Sequence, residues 1–156
     1  MRTIGILLSL ILAYYFSVLP MPVWAESWRP EWVALVLIYW IFLLPHRVGV
    51  FIAWWAGLGL DVLKGSLLGQ HALSLSVLAF FAGLLQRRVR FFSVWQQTFV
   101  VLILVGLHLI IVRLVQNAIS SAQGDAVYGL PSLVSAFVWP WLSGLLGLFH
   151  RGKKMN

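Results

Sequence analysis

No cysteine occurs among the 156 residues, which excludes disulfides, thiolate metal sites and cysteine nucleophiles together. Acids are nearly as scarce: Glu26, Glu31, Asp61 and Asp125 are the only four, and they are not clustered. A Mg²⁺-dependent phosphate or prenyl enzyme needs grouped carboxylates, because Mg²⁺ takes hard oxygen ligands, so that chemistry is not expected. The four histidines are scattered, with no H-E-x-x-H or comparable spacing, and neither a metal nor another cofactor is expected. His71 and Ser74 stand three residues apart and could touch on one helix, but no orienting partner or oxyanion donor accompanies them. The chain therefore reads as a non-enzyme. Charged residues make up only 10%, against about 25% in a soluble domain. With 62% hydrophobic residues and a mean hydropathy of +0.95, the composition is that of an integral membrane protein. Residues 1–156 are expected to form a single membrane domain, without a second, soluble one.

What is present is a row of apolar segments, at about 3–19, 32–44, 48–63, 67–85, 91–115 and 128–149. The basic residues between them alternate in density. With the N-terminus inside, Arg2, Arg47, Arg87, Arg88, Arg90, Arg151, Lys153 and Lys154 fall in the cytoplasm, Arg29 and Lys64 fall outside, and Arg113 lies within a segment. That bias is the positive-inside rule, and it predicts an all-α protein of six transmembrane helices with both termini cytoplasmic. A net charge of +7 and a pI of about 10.6 would suggest nucleic acid in a soluble protein. Here the charge orients the chain and meets anionic headgroups, and no basic patch of useful size for nucleic acid exists.

Three local features refine this. Arg2, an apolar run and Val23-Trp24-Ala25 resemble a signal peptide, but the run is long for one and Pro20 and Pro22 crowd the cleavage site, so an uncleaved first helix is expected. The second and third segments are short for spans of about 20 residues. Between them, Pro45-His46-Arg47 breaks the helix and makes a tight turn that anchors to headgroups or meets a cytoplasmic partner. A re-entrant hairpin would put Arg47 deep in lipid at a cost of about 2.5 kcal/mol or more, which favours two spans. Trp24, Trp28 and Trp32 mark headgroup level around the first outer loop and Trp95 marks it at the fifth segment, whereas Trp54, Trp55, Trp139 and Trp141 are expected to pack between helices.

Gly49, Ala53 and Gly57 recur every four residues and line one helix face, a stripe that continues to Asp61 and Gly65. Small residues let helices approach closely in lipid, so these positions, with Gly69, are the candidate packing and partner-binding set. Asp61 is the only acid inside an apolar segment, and an ionisable group there faces a partner or a cavity. Lys64, Gln70, His71, Arg113, Gln116 and Asn117 belong at a similar depth near the outer leaflet. The expected cluster is Asp61, Lys64, His71 and Arg113, with Asp61 paired to Arg113 or Lys64; the alternative is that both bases snorkel outward and Asp61 faces water. His108, mid-helix, is expected to be a hydrogen-bonded packing residue.

Several motifs stand in a specific order: Arg29-Pro30-Glu31-Trp32, Leu44-Pro45-His46-Arg47-Val48, Gly57-Leu58-Gly59-Leu60-Asp61-Val62-Leu63-Lys64-Gly65-Ser66, Leu68-Gly69-Gln70-His71-Ala72-Leu73, Trp95-Gln96-Gln97 and Trp139-Pro140-Trp141. This order and spacing resemble the MreD family of rod shape-determining proteins of Gram-negative bacteria. The resemblance implies a six-helix inner-membrane protein without known catalytic activity, part of the machinery that elongates lateral peptidoglycan. It implies MreC, a bitopic protein with a periplasmic domain, as the main partner. The actin-like MreB, the polymerase RodA and its class B transpeptidase are the other members. It also implies a bundle similar to the substrate-binding subunits of energy-coupling vitamin transporters. Lys64 stands where other members can have an uncharged residue. Two other functions remain open at this point: a small-molecule carrier, which would need a hydrated cavity around Asp61 and Arg113, and a lipid-handling enzyme or lipid-binding regulator.

Overall fold

A short apolar helix lies at the centre of the fold. The computed structural model describes residues 2–26, 28–119 and 130–151, and the described residues form helices and turns with no strand. The helices are α1 (Arg2–Val18), α2 (Val23–Glu26), α3 (Trp32–Leu43), α4 (Val50–Lys64), α5 (Gln70–Val89), α6 (Val94–Ile119) and α7 (Leu130–Arg151). Lys153, Lys154, Asp125 and the start of the sixth expected segment lie outside the described residues.

The 12 residues of α3 are apolar all round and reach only about 18 Å. A helix with no polar face is surrounded by lipid or by protein, and α3 is surrounded by protein: α1, α5, α6 and α7 all pack on it. Val33 through Ile38 are buried without interruption. Around it α1 packs on α4, α4 on α5, α5 on α6 and α6 on α7. Among the described residues only α5 and α6 are long and apolar enough to cross a membrane by length and composition, while 3–18, 32–43 and 133–148 are apolar but shorter. The sequence expects six spans and already reads the second and third as short; α3 and α4 are bounded by turns at Pro45 and Gly65. At Pro45 the chain leaves α3 through a tight turn closed by Arg47 N–H and Val48 N–H on Leu44 O, at 3.1 and 3.0 Å. Val48 plugs this turn from inside, and His46 and Arg47 are exposed. Gly65 then ends α4 in the left-handed region, at φ 63°.

The tryptophans divide differently from expectation. Trp139 is buried against Tyr39 and Phe42, as expected of a residue between helices. Trp54, Trp55 and Trp141 are exposed on the outer surface; on α4 the small residues take the inner face and leave the indoles outside.

The first helix is tied to the rest by polar groups at three levels. Trp40 Nε1 donates to Ser9 Oγ at 2.8 Å, the Tyr14 hydroxyl donates to Ala56 O, and Arg29 donates to Ser17 O at 2.7 Å and to Leu19 O. Arg29 thus caps the last carbonyls of α1, where a cation also complements the helix dipole. Arg29→Ala is expected to cost about 2 kcal/mol of stability in detergent unfolding, the range for hydrogen bonds to charged groups. Arg29→Lys should recover less than half, because an ammonium lacks the planar fork that reaches both carbonyls. Full recovery with lysine would mean that charge alone suffices.

Candidate functional site

The polar residues gather at one end of the bundle, around the junction of α4 and α5. The α5 helix begins at Gly69, whose φ of 98° demands glycine and which has no side chain to cap the first turn. The free N–H groups of that turn are satisfied from the neighbouring helix. Asp61, in the last turn of α4, accepts Gly69 N–H at 2.9 Å and Ala72 N–H at 3.4 Å on Oδ2, and His71 N–H at 2.9 Å on Oδ1. Ser66 Oγ donates to the same Oδ1 at 2.9 Å, and His71 Nδ1 lies 2.7 Å from it. Asp61 is only 1% exposed. Its charge therefore sits at the positive end of α5, a cap supplied by a different helix.

This geometry requires α4 and α5 to be very close, and Gly57 permits it. A Cβ at Gly57 would overlap Ala72 Cα and lie 2.5 Å from Ala72 N. Ala53, one turn earlier, is fully buried on the same face. Gly57 and Ala53 of the small-residue stripe thus pack within the chain. Gly49 has nothing within 4 Å of a would-be Cβ and serves as the N-cap residue of α4, while Gly65 and Gly69 shape the turn between α4 and α5.

From Asp61 the network runs inward. The His71 and His108 rings lie 6.0 Å apart between centroids, and His108 Nε2 lies 3.8 Å from Glu31 Oε2. Glu31 N–H in turn donates to the Ser135 hydroxyl oxygen at 2.9 Å. Two carboxylates and two imidazoles so connect the start of α3 with α4, α5, α6 and α7. The expected pairing of Asp61 with Lys64 or Arg113 is corrected: the basic group on Asp61 is His71. The reason is the hairpin, which turns the first residues of α5 onto the end of α4, while Lys64 projects outward and is exposed. Arg113 is half-buried farther along α6. His108 also departs from expectation. It is buried, but its ring nitrogens have no hydrogen-bond partner among the described residues, and its closest polar contact is the Glu31 carboxylate. Glu31, Ser66 and Arg29 are not legible as site residues from spacing. Glu31 and Arg29 do fall in a motif, Arg29-Pro30-Glu31-Trp32, which is the one signal that could have found them.

Among the described residues no group of three or more His, Asp and Glu side chains has metal-binding geometry. Every oxygen of Asp61 already has donors from the chain itself. The Pro45, His46 and Arg47 turn lies at the opposite end of the bundle and takes no part in the network.

Among the described residues, a helical bundle whose buried polar groups tie its own helices together, wrapped in exposed leucine, phenylalanine and tryptophan, has the make-up of a membrane protein. The sequence profile of the family described as rod shape-determining protein MreD matches residues 1–149. The chain belongs to the MreD family. It is similar to the rod shape-determining protein MreD of Haemophilus influenzae, with 29% identity over 153 residues, covering 97% of this chain and 93% of that one. No solved structure matches the chain. Its role is accordingly in determining rod shape.

Proposed function

We propose that this protein is a non-catalytic scaffold of the complex that elongates lateral peptidoglycan, an inner-membrane protein crossing six times with both termini in the cytoplasm. The end of the bundle that holds Asp61 then faces the periplasm, and the end that holds Arg47 and Arg87 faces the cytoplasm. The short central α3 need not match the bilayer by itself, because its neighbours shield it from lipid. Its task is to hold MreC, with RodA, the class B transpeptidase and MreB joined through the same assembly.

The observation that carries this reading is the self-satisfied state of Asp61. A carrier would keep a buried acid for its cargo, whereas this acid is filled by Ser66, Gly69, His71 and Ala72. The space available to a partner is outside. A groove of about 560 Å³ runs along α4 and α5, lined by Val50, Phe51, Trp54 and Leu73 with Gly69 and Ser76. Small residues flanked by aromatic walls suit a transmembrane helix laid into a groove, and we assign the transmembrane helix of MreC to it.

The test is to fill the groove. Leu73→Trp with Ser76→Leu, at native expression, should reduce MreC recovered in mild detergent at least about tenfold, the loss expected from about 1.4 kcal/mol. The variant's own elution profile and abundance should stay unchanged. Unchanged MreC recovery would rule out the groove as the docking site. Recovery of an energy-coupling membrane subunit with paired ATPases, in place of MreC, would overturn the scaffold in favour of the carrier.

A further inference from the structure

The end of the bundle opposite Asp61 has no assigned task. His46, Arg47, Arg87, Arg88 and Arg90 are all exposed there, and among the described residues none of them has a carboxylate within ion-pairing distance. Arg87 and Arg88 end α5, and Arg90 begins the turn after it, which is held in place. Phe91 N–H and Phe92 N–H donate to Arg88 O and Val89 O, both at 3.1 Å, and Gln97 Nε2 donates to Val89 O at 3.3 Å. Ser93 N–H donates to Gln96 Oε1 at 3.1 Å. Val89 is buried beneath the turn, so the arginines are fixed above it rather than trailing from a loose loop.

The adjoining surface is apolar along α6. Phe91, directly after Arg90, is 91% exposed. Trp95, Phe99, Ile103, Ile110 and Leu114 follow on α6, and all are exposed. Their spacing of four, four, seven and four residues keeps them on one helix face. At about 1.5 Å per residue this stripe extends for more than 25 Å from the arginines. A head bearing negative charge and a long hydrocarbon tail would match both parts at once. An acidic segment of a soluble protein would match the arginines and leave the exposed Phe91, Trp95 and Phe99 without a partner.

We propose that the turn between α5 and α6 is a binding site for an anionic phospholipid with two phosphates, a cardiolipin-type lipid. Arg87, Arg88 and Arg90 take the phosphates, Phe91 and Trp95 sit at the glycerol level, and the acyl chains lie along the nearer half of the α6 stripe, over Phe99 and Ile103, since one leaflet is about 15 Å deep. Arginine suits this task because its guanidinium matches a phosphate in a bidentate manner, and basic surfaces beside membrane helices on the cytoplasmic side favour such headgroups. The site rests on the membrane orientation proposed for the bundle and is independent of MreC.

Native mass spectrometry of the full chain in mild detergent tests it, with cardiolipin, phosphatidylglycerol and phosphatidylethanolamine added in equal amounts. The expected result is cardiolipin retention at least about tenfold above phosphatidylethanolamine, given that three basic residues at an anionic surface contribute up to roughly a hundredfold. Arg87→Gln with Arg88→Gln and Arg90→Gln should abolish that preference. Each single variant should lower it partially, and Arg47→Gln should leave it nearly unchanged. Equal retention by the triple variant overturns the site. So does a variant that keeps its lipid preference but loses a cytoplasmic protein partner, which would give the arginines to that partner. MreC recovery is measured on the same samples, so loss of the scaffold and loss of the lipid site are read separately.

Discussion

Asp61→Ala should be the most damaging single substitution in the chain, lowering stability in detergent unfolding by about 3–5 kcal/mol, because several donors lose one shared acceptor at once. The loss has identifiable parts. Four donors, from Ser66, Gly69, His71 and Ala72, lose their acceptor inside the bundle. Each unsatisfied buried donor costs about 1–3 kcal/mol, although relaxation of the turn keeps the parts from adding in full. Asp61→Asn should fall between alanine and the native residue. Its remaining oxygen can keep the Ser66 and His71 bonds, but its amide nitrogen then faces the N–H groups of Gly69 and Ala72, donor against donor. Thermal unfolding and the monodisperse fraction after solubilisation measure both effects. Loss of rod shape in cells carrying Asp61→Ala should follow the fall in folded protein. A stable, abundant Asp61→Ala protein that still failed to support rod shape would instead give Asp61 a direct role in function.

Asp61 is also the residue most legible in the sequence, because a lone acid in an apolar segment has to be compensated. Its partner is not legible in the same way. Depth along the helices brings Lys64 and Arg113 to the same level as His71, and charge favours the two bases. Local geometry decides the pairing: a left-handed Gly65, a left-handed Gly69 and the resulting close return of α5 onto α4. Glu31 and His108 are harder still, because residues so far apart in the chain meet only through tertiary packing. The helix boundaries are legible to within a few residues, since apolar runs and Pro or Gly breaks define them. The burial of α3 is not, because an apolar run reads the same whether lipid or protein surrounds it. That ambiguity also explains the tryptophans. Trp54 and Trp139 are alike in sequence context, yet one faces outward beside the groove and the other is enclosed by Tyr39 and Phe42.

Gly57→Ala is the second large effect, and it separates packing within the chain from packing against a partner. The added Cβ would overlap Ala72 Cα and meet Ala72 N at 2.5 Å and His71 C at 2.7 Å, all of them backbone atoms. Nothing flexible is available to yield, so α4 and α5 must separate. Overpacking of this kind costs about 1–3 kcal/mol, and here it also moves His71 and the α5 amides away from Asp61, so the upper end is expected. Ala72→Gly should not rescue it, because the contact is with the Ala72 backbone and not its methyl group. Gly83→Ala is the matched control: a Cβ there meets nothing within 4 Å, and alanine's better helix propensity should leave stability unchanged or raised by up to about 1 kcal/mol. The decisive comparison is unfolding of the isolated protein. If Gly57→Ala melts at a lower temperature with no MreC present, its effect on the complex is a consequence of a loosened bundle. If the isolated variant is as stable as the native chain and only MreC recovery falls, Gly57 faces the partner, and the close approach of α4 to α5 is not what the glycine is for.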